Sequence, residues 1–423
     1  MTDTHTPAPN APPPRGLRAA FLRLRRAFRP GPPLTRDQPL RLKLRGGIML
    51  SSAAVLLAVA VLWRFPAFVE AAYSRGAGQA VARGLAAVSG LIPWSGLETL
   101  IGLAGLWALA SVARAAVDII RHKRRLLNAL ACGLLRIGAI AAATIAVFYA
   151  IWGLNYARPD LVTRFGWDAP LPADEADSSV EELARLCTEL IDAANRDYEA
   201  ATGSSDLGRP SAPAQGIDAC DRAIEEGYAR VAARFDVTPA FAARRAPAKP
   251  VFASWILSHS LISGFYSPWT GEANYNREVP ACELLHAIAH EKAHQRCVTS
   301  EDEANFFGYL ACVNSDDTYV RYSGYLFGQL QLLRELRRLD AARAKELRAR
   351  RCPGVARDIE AMHDFYAAHV GAVSTVTTAV NDTYLRANRV KGGIKSYAYC
   401  ARLLVLYARR NDDTCLVPAS SPS

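Results

Sequence analysis

The chain has 423 residues, 51% of them apolar and 21% charged, with a net charge of +10. That apolar share and a mean hydropathy of +0.03 argue against an ordinary soluble protein, and the excess sits in the first third. The positive balance does not point to nucleic acid: basic residues crowd Pro-rich sequence hard against an apolar run, where anionic membrane lipid is the expected partner.

Residues 1–45 form a basic, Pro-rich arm from Arg15 to Arg45. Gly46 to Trp63 and Ile137 to Leu154 are uncharged runs of 18 residues, each long enough to cross a hydrocarbon core. Thr99 to Ile120 is a third candidate, with Arg114 and Asp118 near one end, where arginine can snorkel to headgroups. About 45 residues precede the first run, too many for a cleaved signal peptide. Arg121, Lys123, Arg124 and Arg125 follow Thr99–Ile120, whereas the loop between that segment and the first run has only Arg64, Arg75 and Arg83. The positive-inside rule therefore predicts a multi-pass protein of the cytoplasmic membrane with a cytoplasmic N-terminus. A membrane domain at 46–154 then leads to an extracytoplasmic domain at 155–410 and a flexible tail at 411–423.

In the outer domain, Asn155 to Asp177 reads as a connector, and Ser178-Ser179-Val180-Glu181-Glu182 as a capping box opening a helix to about Ala200. A loop, Thr202 to Gly216, precedes a helix from Asp218 to Phe235. Val251–Ile256 and Leu261–Tyr266 have the composition of short strands, with Gly271–Asn276 as a further extended piece. Helical pattern then dominates: Ala281–Arg296, a segment from Glu301, Thr318–Arg348 as one long or broken helix, another opened by Pro353, and Ile394–Arg409. The expected class is mainly α with a small β-sheet. Cys132 lies at the edge of the Ile137–Leu154 run, leaving eight cysteines outside, an even number that permits disulfides in an oxidising compartment. No C-x-x-C pair occurs, which argues against a structural zinc of the usual kind.

The run His290-Glu291-Lys292-Ala293-His294 carries the chemistry. Imidazoles four residues apart on a helix share one face and can grip one Zn2+ ion, and Glu291 stands where a general base for a metal-bound water belongs. A third ligand is needed, and Glu301, Asp302 and Glu303 follow after a short turn. Glu301 is preferred: Asn305, four residues on, shares its face and can hydrogen-bond a ligating histidine from behind. Glu303 is the alternative ligand, although Ser300 and Glu303 also fit a capping box. His286 is a neighbour rather than a ligand, since His286, His290 and His294 together span roughly 12 Å of helix. Tyr322, Arg321 and His363 are candidates for stabilising an oxyanion.

These residues resemble the gluzincin metallopeptidases, which join H-E-x-x-H to a glutamate on a following helix, often written E-x-x-A-[DN]; Glu301-Asp302-Glu303-Ala304-Asn305 has that form. The wider context is Gly271-Glu272-Ala273-Asn274-Tyr275-Asn276, Gln295, Asn305-Phe306-Phe307 and Arg321-Tyr322-Ser323-Gly324-Tyr325. It is similar to a bacterial membrane family described as a domain of unknown function (DUF3810), over roughly residues 45 to 410. The resemblance implies three transmembrane helices followed by an α-rich, zincin-like domain. It also implies a membrane-anchored zinc metallohydrolase, a peptidase acting on peptide or protein outside the membrane. The alternative is a noncatalytic metal-stabilised membrane module or receptor. An intramembrane protease is disfavoured, because Glu283, Glu291, Lys292 and Arg296 crowd the motif helix.

Overall fold

The computed structural model describes residues 38–121, 126–167, 179–235, 237–390 and 399–417. Outside them lie most of the basic arm, the Lys123–Arg125 connection, Ser178 and the connector before it from 168, the start of the expected last helix at Ile394, and the tail beyond 417. The described chain is mainly helical, with three helices long and apolar enough to cross a membrane and one small mixed sheet.

The membrane-length helices are Leu40–Leu62, Gly96–Ile120 and Leu126–Ile151. The third starts well before Ile137 because Arg136, which interrupts the uncharged run, is accommodated within the helix. Its guanidinium lies 3.7 Å over the Trp107 ring and donates to Ser111 Oγ at 3.2 Å. Such a cation–π contact offsets part of the cost of a charge at that depth. Leu103, Leu106 and Leu109 point outward, as a lipid-facing surface requires.

By contacts the chain divides into two units, one of residues up to Leu56 with Ile101–Val147, the other of Leu57–Leu100 with Phe148 onward. Leu57–Leu100 and Phe148–Leu154 pack with the second unit. The physical reason is polar anchoring that no local pattern announces. Arg158 makes a two-pronged ion pair with Glu70 at 2.7 and 2.9 Å, and Arg245 donates to Gln79 at 2.6 Å.

In the second unit, Val180–Thr202 is opened by Ser179, whose hydroxyl accepts from Glu182 N at 3.0 Å, and is closed by left-handed Gly203. It packs on Thr318–Leu339, which stops at Asp340, the cap of the separate helix Ala341–Arg348. Ile217–Arg234, Ala281–His294 and Glu301–Val313 complete the centre, burying Tyr228, Leu285, Ile288, Phe306, Tyr309 and Leu310. Pro353–His369, Ala372–Ala387 and Cys400–Ala408 follow. All nine cysteines are free thiols, and seven are fully buried as small apolar groups.

The sheet has the order β1-β3-β2, with β1 Lys249–Pro250 parallel and β2 Gly264–Ser267 antiparallel to the central β3 Glu272–Tyr275. The strand expected at Val251–Ile256 is corrected: after Val251 N bonds Tyr275 O at 3.0 Å, the chain turns into the helix Ser254–His259. The cause is remote. Glu98 accepts from the amides of Phe252 and Ala253 at 2.9 and 3.0 Å, supplying the helix start with a carboxylate that local composition cannot reveal. The expected strand Leu261–Tyr266 is likewise shorter and later, beginning at Gly264.

Candidate metal centre

The motif helix Ala281–His294 is fixed first by its far face. Lys292 and Arg296 are fully buried and meet Glu225 at 2.8 and 2.7 Å, with Asp221 3.1 Å from Lys292. Arg296 also lies 3.9 Å over the Tyr228 ring. Buried cations persist only when paired in this way, so the network sets both the depth and the rotation of the helix. The opposite face then presents His286, His290, Glu291 and His294.

Past His294 the chain reverses through Cys297, which adopts a left-handed conformation with φ 63°. Val298 N bonds back to Ala293 O at 3.2 Å, and Val298 O accepts from His294 Nδ1 at 2.6 Å. The turn therefore spans the short interval and positions one imidazole at the same time. Glu301–Val313 lies close beside the motif helix because Gly308 stands at the crossing; a Cβ there would come within 3.0 Å of His290 N and 3.2 Å of its Cα.

The result is a convergent set, with the ligand atoms of His290, His294 and Glu301 all within 4.8 Å of one another. The two Nε2 atoms are 3.1 Å apart, and Glu301 Oε2 is 3.1 Å from His290 and 3.6 Å from His294. Because a carbonyl can only accept, His294 carries its proton on Nδ1; the Asn305 Oδ1 2.8 Å from His290 Nδ1 fixes that ring in the same sense. Both Nε2 atoms thus face a carboxylate oxygen and each other, a set of donors that could hold a metal ion. Burial opposes charge on His294, yet the neighbouring Glu301 outweighs it and lifts the imidazole to about 9. Burial would likewise raise Glu301, but the two histidines hold it well below the usual carboxylate range. Ligands bonded at about 2.0–2.1 Å around one tetrahedral ion lie roughly 3.3 Å apart, so the observed spacings fit a single zinc-sized ion.

Glu291 is 6% exposed, and burial raises its pKa above the ordinary carboxylate value. It sits against β2, where Gly264 leaves room: a Cβ there would fall 2.9 Å from both Glu291 Cγ and Asn274 O. His286 stacks on Phe327 with ring centroids 3.5 Å apart and meets Asn305 O at 3.1 Å. Burial, then His290, holds it down at about 3, so it stays neutral and braces the Asn305 backbone. A cavity of about 740 Å³ opens onto His286, His290, Glu291 and Asn305 and is also lined by His363 and Tyr366.

Glu303, the alternative ligand, is turned away: it accepts from Leu161 N at 2.7 Å and pairs with Arg164. The expected Ser300–Glu303 capping box is therefore absent, Ser300 donating instead to Asp302. Tyr322 donates to the buried Asp358 at 2.7 Å, and Arg321 pairs with Asp197 at 2.7 Å, so neither lines the cavity. Sequence reasoning missed Trp152, whose indole donates to His294 O at 3.3 Å, and Gly264; neither stands near the motif in the chain.

Comparison with curated proteins and with solved structures gives no match. A family model described as protein of unknown function (DUF3810) matches residues 73–405, covering the loop between the first two spans, the site and the helices beyond it. The chain belongs to that family.

Proposed function

We propose that this chain is a membrane-anchored zinc metallohydrolase of zincin-like type, a peptidase acting on peptide or protein at the outer face of the cytoplasmic membrane. The observation that carries the reading is the convergence of His290 Nε2, His294 Nε2 and Glu301 Oε2, with both Nδ1 atoms committed to outward acceptors. That pattern of ligands and oriented imidazoles is the one a catalytic zinc requires. When bound, zinc would supply an open coordination position and lower the pKa of a water there to about 7.

The chain's own groups divide the remaining work. Asn305 and Val298 O hold the imidazoles in one tautomer and orientation. Glu291, raised by burial, is poised to take a proton from an attacking water and return it to the leaving amine. β2 is an outer strand of the sheet with Gly264 against Glu291, so an extended substrate backbone pairing along it would pass the general base. Positive residues before the first span and in the 121–125 connection support the placement of this site away from the cytoplasm.

The test is metal analysis of the purified full chain together with a peptide-library cleavage assay. The wild type is expected to hold one zinc and to cleave; Glu291→Ala is expected to hold zinc and lose turnover. Zinc without cleavage in the wild type would favour the noncatalytic module.

A further inference from the structure

The cavity at Glu291 has a second, basic wall. Along Thr318–Leu339, residues Ser323, Phe327, Leu330, Arg334 and Arg337 all line it, and their alternating spacing of four and three places them on one helix face. The stripe begins at the motif helix: Ser323 Oγ donates to Cys282 O at 2.6 Å, and Phe327 stacks on His286. It ends on two arginines seven and ten residues beyond Phe327, roughly 10 and 15 Å along the helix. Arg348 and Arg351 line the same cavity.

Among the described residues none of these four guanidiniums has a carboxylate partner, whereas arginines on the outer sides of the same helices do. Arg338 pairs with Glu335 at 2.7 Å and Arg343 with Glu346 at 2.6 Å. Arg351 donates through Nε to Gln329 at 2.8 Å, but its Nη2 is buried with no hydrogen-bond partner. Burial and the neighbouring Arg348 together lower its pKa to about 10. Leaving a buried donor unmet and concentrating like charge both cost stability, and an anionic ligand would relieve both.

We propose that this wall binds a carboxylate of the substrate, so that the enzyme takes acidic peptides or peptides with a free C-terminus. The inference rests on the peptidase reading and names the substrate class of the same site. An extended peptide covers the interval from the His286–Phe327 stack to the arginines in roughly three to five residues, so the carboxylate lies a few residues from the scissile bond. Guanidinium forks match a carboxylate in two-point contact, and one such charged contact changes affinity about ten- to hundredfold.

The test uses the full chain in lipid nanodiscs, with Glu291→Gln to stop turnover during binding measurements. One fluorescent decapeptide is made in four forms: internal Glu or Gln, each with a free or amidated C-terminus. The doubly neutral form is expected to bind at least tenfold more weakly, and the form that keeps affinity identifies the carboxylate used. Combining Arg334→Gln with Arg337→Gln should erase the difference, the two Lys variants should keep part of it, and Arg338→Gln should leave it intact. Equal binding of all four forms, or discrimination that survives loss of both arginines, overturns the proposal. Displacement by orthophosphate more readily than by unlabelled acidic peptide overturns the carboxylate assignment. Wild-type protein that cleaves acidic and neutral peptides equally well overturns this proposal and leaves the metallopeptidase standing. Carboxylate-dependent binding in a chain with neither zinc nor cleavage supports the basic wall and removes the enzyme reading.

Discussion

Replacing Glu225 by Gln removes the anion on which the buried face of the motif helix depends. The carboxylate faces Lys292 at 2.8 Å and Arg296 at 2.7 Å and accepts from Arg245 N at 2.8 Å, while both cations are fully buried. Asp221 remains 3.1 Å from Lys292, so Arg296 is the group left without a counterion. Breaking a buried pair from one side costs about 3–5 kcal/mol, a large part of a typical total of 5–15. The expected shift in Tm for a unit of about 320 residues is roughly 4–7 °C. Burial alone would raise Glu225, but Arg296 and Lys292 hold it down at about 2. Since this pKa is depressed below the unfolded value of about 4.3, the stabilisation is full above that pH and vanishes as pH falls toward about 2. Glu346→Gln, which breaks the exposed Arg343 pair, is the control and should change stability by no more than about 0.5 kcal/mol. Thermal unfolding of the purified full chain in detergent micelles, across pH, reads all of this. A Glu225→Gln protein melting within 2 °C of wild type at neutral pH would refute the reasoning, since by this argument the shift is at least roughly twice as large.

Asn305→Ala should weaken zinc binding about 10–100-fold in a chelator competition, because His290 loses the acceptor that orients its ring. Gly308→Ala should also lower metal affinity, since its new Cβ would push the two ligand-bearing helices apart; unchanged affinity would show that the crossing is looser than described. Gly264→Ala should retain zinc but cut kcat at least about tenfold, the cost of displacing a general base. Burial pushes the Glu283 carboxyl up to about 7, so its folded form favours the proton and stability should fall as pH rises from about 4.3 to 7. Glu283→Gln should flatten that slope in denaturant titrations.

Much of the site is legible in the chain because it is local: His290 and His294 share a face by helical spacing, and Glu301 follows after one tight turn. What is not legible depends on distant partners. Glu303 looks like a capping or ligating residue from its position after Ser300, and only the fold shows Arg164 and the Leu161 amide claiming it. Val251–Ile256 reads as a strand from its side chains, but Glu98, more than 150 residues away, caps it into a helix. The spans follow from apolar length, yet the anchoring of Leu57–Leu100 through Glu70 and Gln79 uses single polar residues that form no pattern. Lys292 sits inside the motif, and nothing nearby in sequence shows that it is buried against Glu225 and Asp221 rather than solvated.

The most direct measurement is zinc content, with X-ray absorption at the zinc edge, of the full chain purified without added metal. One zinc per chain is predicted, with two imidazole nitrogens at about 2.0–2.1 Å and carboxylate oxygen at about 2.0–2.2 Å, lost when His290 and His294 are both changed to Ala. A folded wild-type chain that neither carries nor takes up zinc, or a double variant that keeps it, would contradict the account.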